Sequence, residues 1–250
     1  MGCGYDDTNK TDSGRALIYR YSGGSWTQSG TLKAPTPANG RRFGNAVCVS
    51  PNGQVIVVGE LTGTRGSTST TCGVAYVYEL VSGLWVYRTK IEPSDGSNSD
   101  NFATKLSTSY DGSIIAVGSP LDDDGGSSTG SVYIYTRNGS TWQQTAKLAH
   151  TPRKTNDRLG IDVSLNYAGN LLAAGAQRAT GGGTTAGAVF IYTNSGSGWS
   201  QQLKLVAPDG LDADYFGTSL SLSNGGVLAV GAYADDIGVA NAGSVYVFVD

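Results

Sequence analysis

Asp214-Tyr215-Phe216-Gly217-Thr218-Ser219-Leu220-Ser221-Leu222-Ser223-Asn224-Gly225-Gly226-Val227-Leu228-Ala229-Val230-Gly231-Ala232 contains the pattern that decides the fold. A segment in which polar and apolar residues alternate, Thr218 to Ser223, has the period of a half-buried strand. The Asn-Gly-Gly that follows is a tight hairpin signal, and the run after it is nearly all apolar, as a strand buried on both faces requires. The same sentence is spelled three more times. Phe43-Gly44, Phe102-Ala103, Leu159-Gly160 and Phe216-Gly217 are spaced by 59, 57 and 57 residues, and so are Trp26, Trp85, Trp142 and Trp199. Val58-Gly59, Val117-Gly118, Ala174-Gly175 and Val230-Gly231 each close an apolar run. A fixed period of this size marks an array of one supersecondary unit.

Each unit divides into four β segments, named a to d in chain order. Segment a alternates, b is apolar (Ile114-Ile115-Ala116-Val117), c mixes β-branched residues with tyrosine (Ser131-Val132-Tyr133-Ile134-Tyr135), and d opens on the tryptophan. A four-stranded sheet that is apolar on both faces must bury both, so copies pack face to face around an axis. The expectation is an all-β propeller of four-stranded antiparallel blades, four to five in number, with incomplete blades at the two ends. A two-layer sandwich would give no reason for the repeat. The boundaries read as a partial blade over 1–35, blades over 36–93, 94–152 and 153–208, and a partial blade over 209–250. Gly4-Tyr5-Asp6-Asp7 matches Ala232-Tyr233-Ala234-Asp235-Asp236, which places the first residues near the end of a b segment and predicts 17 strands in all.

Composition agrees. Of 250 residues, 37 are Gly and 14 are Tyr, and the 20 acidic residues comprise only three Glu beside seventeen Asp, a balance that favours turns and strands over helices. A net charge of −3 lacks the basic footprint of a nucleic-acid binder. No apolar run is long enough for a membrane-spanning helix, and residues 1–10 do not read as a signal peptide.

Phe216-Gly217 followed by Leu228-Ala229-Val230-Gly231-Ala232, and Phe102 followed by Ile115-Ala116-Val117-Gly118-Ser119-Pro120, resemble the FG-GAP repeat of the integrin α-subunit propeller and of microbial secreted or surface proteins. The resemblance spans nearly the whole chain. It implies an extracellular or cell-surface setting and a role in adhesion, recognition or surface architecture. Together with the residues, it leads us to expect a non-enzymatic module with no cofactor, whose partners are surface proteins, glycans or copies of the chain itself. A fold of this kind does not by itself define an activity.

Candidate sites follow from the residues. Some FG-GAP blades carry an Asp-rich calcium loop between a and b, but here those connections are two- or three-residue turns, too short for six oxygen ligands. Asp122, Asp123 and Asp124, in a b to c loop, are the weaker metal candidates, to be set against turn chemistry. Asp100, Asp157 and Asp214 recur just before segment a, as capping residues would. His150, the only histidine, reads as a solvated loop residue. Two Asp meeting across a face would be needed for a carbohydrate-active enzyme. The four tryptophans invite a lectin reading, yet their fixed phase reads more simply as inter-blade packing. Tyr76, Tyr78, Tyr133, Tyr135 and Tyr246 read as blade-face core. Cys48 reads as a small packed thiol, and Cys3 with Cys72 as a possible staple in an oxidising compartment. Asn138 and Asn9 lie in glycosylation sequons. The last c segment, Ser244-Val245-Tyr246-Val247-Phe248-Val249, is apolar and lacks a d partner, which predicts pairing of the terminal strands or self-association.

Overall fold

The computed structural model describes residues 1–8, 10–66 and 68–249. Five antiparallel sheets follow one another along the chain as the blades of a β-propeller. Blade I comprises β1 (Gly2–Cys3), β2 (Arg15–Ser22) and β3 (Ser25–Leu32). Blade II holds β4 (Phe43–Val49), β5 (Val55–Glu60), β6 (Val74–Val81) and β7 (Leu84–Ile91). Blade III holds β8 (Lys105–Thr108), β9 (Ile114–Ser119), β10 (Ser131–Asn138) and β11 (Thr141–Leu148). Blade IV holds β12 (Leu159–Leu165), β13 (Leu171–Ala176), β14 (Ala188–Asn194) and β15 (Trp199–Leu205). Blade V ends the array with β16 (Ser219–Leu222), β17 (Leu228–Ala232) and β18 (Ser244–Phe248). Every sheet is ordered as the chain runs, up and down, without crossovers.

The described residues hold 18 strands, one more than the sequence arithmetic gave. The extra strand is β1, whose two residues pair with Ala16 and Arg15. It is a b strand so short that its composition carries no strand signal.

Local chemistry sets the elements. Ser50 and Gly53 close the β4 to β5 hairpin: the Ser50 N–H donates to Val55 O at 2.8 Å and the Gly53 N–H to Ser50 O at 2.7 Å. Gly53 and its counterpart Gly112 both sit at φ 71°, which L side chains rarely adopt. The pairing of c with d slips by one residue at Ile18/Tyr19, Val77/Tyr78, Ile134/Tyr135 and Ile191/Tyr192, so the same bulge recurs in four blades. A bulge increases local twist, which a propeller blade needs.

The core is a series of inter-blade layers rather than one centre. Ala16, Leu32 and Ile18 of blade I pack with Val58, Tyr76 and Tyr78 of blade II. Val57, Ala75 and Val77 of blade II pack with Phe102, Tyr133, Tyr135 and Trp142 of blade III. Val132 and Ile134 of blade III meet Leu172, Phe190 and Tyr192 of blade IV, and Ala173 and Val189 of blade IV meet Phe216, Val230 and Leu228 of blade V. Each blade thus turns an aromatic side toward its predecessor and an aliphatic side toward its successor.

The two ends differ from the interior. Blade I has no inner strand among the described residues, so Val47 and Val49 of β4 are exposed in an open groove of about 580 Å³, lined also by Met1, Ile18, Ile56 and Trp85. Among the described residues blade V holds three strands, β16 to β18, and strands of blades I and V share no packing comparable to that between consecutive blades.

Candidate functional site

The Phe-Gly pair builds the rim that all the interfaces share. Phe43 N–H donates to Ser13 O at 3.1 Å, Phe102 N–H to Cys72 O at 2.8 Å, Leu159 N–H to Thr129 O at 3.0 Å and Phe216 N–H to Ala186 O at 2.8 Å, each bond running from one blade to its predecessor. Each of these acceptors precedes a glycine with positive φ, Gly14, Gly73, Gly130 or Gly187, and a methyl group there would overlap the carbonyl oxygen of the docked Phe or Leu. One strand inward, a methyl group on Gly2, Gly59, Gly118 or Gly175 would overlap the carbonyl of Gly44, Ala103, Gly160 or Gly217. The repeated glycines exist so that the next blade's inner strand can approach their backbone.

The acidic candidates sit in a loop network on the blade rim. Among the described residues Asp95, Asp122 and Asp124 place carboxylate oxygens within 4.8 Å of one another, as a metal site would. Lys147 stands among them: its Nζ lies 2.8 Å from Asp95 and 2.9 Å from Asp122, and it also pairs with Asp124. Burial would lower the Lys147 pKa, but the three carboxylates more than reverse this and hold it above the ordinary lysine range. The ammonium supplies the charge that a cation would. Asp123 instead accepts from the Ser128 N–H at 2.6 Å, which is turn chemistry. The loop is also tied to the sheet below, because the Tyr133 hydroxyl lies 2.6 Å from Asp122 Oδ2 and 2.8 Å from Asp95 Oδ1. Blade V repeats this with Tyr246, Asp235 and Asp209.

The Asp residues before segment a cap their own loops. Asp100, Asp157 and Asp214 accept from the N–H of Ser97, Lys154 and Leu211 at 2.6, 2.6 and 2.5 Å. His150 is not the solvated residue that its loop position suggests. It is 1% exposed, its Nε2 lies 2.7 Å from Asp157 Oδ2, and its ring packs 4.5 Å from Phe190. Phe190 takes the place that Tyr133 and Tyr246 hold in their blades, and with no hydroxyl to offer it packs against the imidazole instead. No nucleophile is bonded to it among the described residues.

The tryptophans divide by position. Trp142 is 4% exposed and its Nε1–H donates to Gly112 O at 2.8 Å. Trp85 and Trp199 are half-buried against the layers shared with blades I and III respectively. Trp26 departs from the expected packing: it is 69% exposed, with only Tyr21 beside it at 5.4 Å. The side that each Trp occupies faces the preceding blade, and blade I has none.

The proposed staple is absent, since Cys3, Cys48 and Cys72 all carry free thiols. Cys3 pairs through β1 with Arg15, and Cys72 is buried beneath Pro93 and Gly96. Cys48 is half-buried, with Sγ 3.7 Å from Thr108 Oγ1. Asn138 is exposed at the β10 to β11 turn; Asn9 lies outside the described residues.

Sequence reasoning missed Glu60. It is 3% exposed, at the floor of a cleft of about 520 Å³ that also holds Arg41, Tyr76, Tyr87 and Lys90. Burial pushes its carboxyl up to about 7, against the pull of Arg41, a hydrogen bond with Tyr76 and the charge of Lys90. Its Oε2 has no hydrogen-bond partner among the described residues. The available signal was repeat mismatch, because the equivalent positions are Ser119, Ala176 and Ala232.

The last c strand is the plainest open surface. Val245 and Val247 are 71% and 61% exposed, whereas Val132 and Ile134, their counterparts in blade III, are fully buried. The strands of blade V carry no charged residue to blunt that face.

The FG-GAP repeat family matches residues 85–135 and 199–248. No curated protein matches the chain. Both matched stretches run from a d strand through the Phe-Gly pair to the following c strand, the stretch in which one blade docks on the last. With five small antiparallel blades and two stretches that match the FG-GAP repeat, the chain is a β-propeller that carries FG-GAP repeats.

Proposed function

We propose that this propeller is a non-enzymatic structural or adhesive module of an extracellular or cell-surface protein, and that it docks other blades, copies of itself included, through the faces of blades I and V. One observation carries the reading: the Asp clusters of the b to c loops in blades III and V are consumed in loop-to-sheet bonds, while the two end faces hold exposed apolar side chains. Blade I offers Tyr19, Tyr21 and Trp26, and blade V offers Val245, Val247 and Val249. These are the aromatic and aliphatic sides of the layer that joins consecutive blades. Head-to-tail contact between such sides is heterologous and extends into an array unless it closes. Contiguous apolar surface of this kind is characteristic of interaction sites. FG-GAP repeats are typical of extracellular proteins, and no helix among the described residues is long and apolar enough to cross a membrane.

Light scattering over a concentration series tests it. Mass should rise with concentration, and Val247→Asp should return the chain to a monomer. A wild-type monomer at every concentration would remove the assembly part.

A second reading, glycan binding, is favoured by the Glu60 cleft, where a buried acid, two cations and two tyrosine rings converge. A glycan array probed with wild type and Glu60→Gln distinguishes it: signal lost in the variant supports a lectin, and polysaccharide turnover would make it an enzyme.

A further inference from the structure

The positions around Glu60 depart together from their counterparts in other blades, and every departure opens or recharges the same cleft. In blades III and IV a glutamine on the d strand holds the connection arriving from the preceding blade. The Ser94 N–H donates to Gln144 Oε1 at 3.0 Å, and the Thr151 N–H to Gln201 Oε1 at 2.8 Å. Blade II has Tyr87 in place of the glutamine, and its arriving connection has Pro35, which carries no N–H, in place of Ser94 or Thr151. In blades III and V two carboxylates, Asp95 with Asp122 and Asp209 with Asp235, close over the c-strand tyrosine. Their counterparts in blade II are Thr36 and Gly63, and the space over Tyr76 is a cleft of about 520 Å³. Charge changes with shape. Arg41 stands two residues before Phe43, where the other blades have Asp100, Asp157 and Asp214, so a cation replaces an acid. Its guanidinium donates to the Thr62 carbonyl at 2.7 Å and forms no ion pair among the described residues. Lys90, the counterpart of Lys147, pairs with one carboxylate, Glu92 at 2.8 Å, where Lys147 pairs with three.

We infer that this cleft binds an acidic saccharide, a pyranose bearing a carboxylate, which pairs that carboxylate with Arg41 and Lys90, bonds a hydroxyl to Glu60 Oε2 and lays a sugar face on Tyr87. The inference rests on the glycan reading of the cleft and narrows its ligand to one chemical class. Glu60 is 3% exposed, and a buried oxygen without a hydrogen-bond partner is costly, a deficit that a ligand hydroxyl makes good. Burial raises its carboxyl to about 7, so near neutrality it does not oppose an anion with a full negative charge. The guanidinium of Arg41 matches a planar carboxylate, which it can hold by two parallel bonds. Tyr87 is 41% exposed and offers the flat apolar face against which a sugar ring packs. A small inorganic anion would use the two cations and leave both Tyr87 and Glu60 unmet. The cleft volume falls in the range of small-molecule sites, about 300 to 1,000 Å³.

The test titrates the intact 250-residue chain by calorimetry with a panel of acidic saccharides: oligomers of galacturonate, glucuronate, mannuronate and guluronate, and sialyllactose. Each is paired with its methyl ester, which keeps the sugar and removes the charge. Saturable binding of at least one acid is expected, with its ester at least about tenfold weaker, a difference of about 1.4 kcal/mol or more. Arg41→Gln should weaken the acid by a similar factor and leave the ester unchanged, a contrast that a folding defect does not produce. Tyr87→Ala should weaken both forms, and unchanged thermal midpoints check that the variants fold. If Arg41→Gln does not fold, the acid-to-ester ratio on wild type still decides. Equal affinity for acid and ester, binding that neither substitution weakens, or equally tight binding of a sulfated sugar without a carboxylate overturns the assignment. If no acid binds while the glycan array gives a Glu60-dependent signal from neutral sugars, this inference falls and the glycan reading stands. Silence of both the panel and the array overturns the two together.

Discussion

The Tyr133 hydroxyl lies 2.6 Å from Asp122 Oδ2, joining the middle of the c strand to the loop that precedes it. Burial, and then the carboxylates Asp122 and Asp95, raise the Tyr133 pKa far above the ordinary phenol range, so this proton stays in place at any physiological pH. With Lys147 on the other side of the same carboxylates, the loop is closed by charge as well as by hydrogen bonding.

Removal of Lys147 therefore exposes what it neutralises. Lys147→Met leaves Asp122, which is 2% exposed, beside Asp95 and Asp124 with no counter-charge. A loss of about 3 to 5 kcal/mol is expected for a buried charge stripped of its partner, reduced toward about 1 to 2 by the partial exposure of the Lys147 head. Urea denaturation measures it. Wild type should show the same thermal midpoint with and without EDTA, and a drop of several degrees with the chelator would show a resident cation.

The tryptophans should separate by position. Trp142→Ala should cost about 3 to 5 kcal/mol, because it removes a buried ring and its bond to Gly112. Trp26→Ala should change stability by less than about 0.5 kcal/mol, as expected of an exposed site. Chemical denaturation of the two variants side by side tests the contrast, and equal losses would contradict the open face of blade I.

Stability should fall as pH rises through the range in which Glu60 ionises. Its folded pKa of about 7 lies above the ordinary carboxylate value of 4.5, so the folded state holds the proton longer than the unfolded chain does. The unfolding free energy then decreases between about pH 4.5 and 7. Asp100, raised to about 6 by burial and further by Asp122 and Asp123, against the Ser97 bond, acts in the same direction. Glu60→Gln should flatten this slope, and thermal midpoints measured from pH 4.5 to 8 should show the variant gaining on wild type as pH rises.

Expression through a eukaryotic secretory pathway should add a glycan at Asn138, whose side chain is exposed at a hairpin turn. Intact mass before and after deglycosylation reports it, and Asn138→Gln should remove the added mass.

The repeat unit was legible because each blade needs the same residue at the same step: a Phe or Leu at the docking rim, a glycine where backbones touch, a tryptophan at the head of d. The phase of Trp26 is as regular as that of Trp142, yet one ring is bare and the other covered. Phase encodes which way a residue faces, and what it meets depends on a neighbour beyond the repeat. His150 failed for a related reason. It lies in a connection that composition marks as surface, but three-dimensional closure brings it onto Asp157 and against Phe190 of the following blade. Glu60 was written in the sequence as an exception to its column, a signal visible only after the columns had been aligned.

Because each blade leans only on its neighbours in the chain, resistance to unfolding should be graded along the molecule instead of shared by it. Blades II to IV are gripped from both sides and blades I and V from one, so in such quasi-one-dimensional folds opening starts at the ends and travels inward. Amide protons of β9 and β13 should be the slowest to exchange and those of β2 and β18 among the fastest, which makes the chain behave under thermal or mechanical load less like a closed ring than like a stack of plates loosened from its outer members.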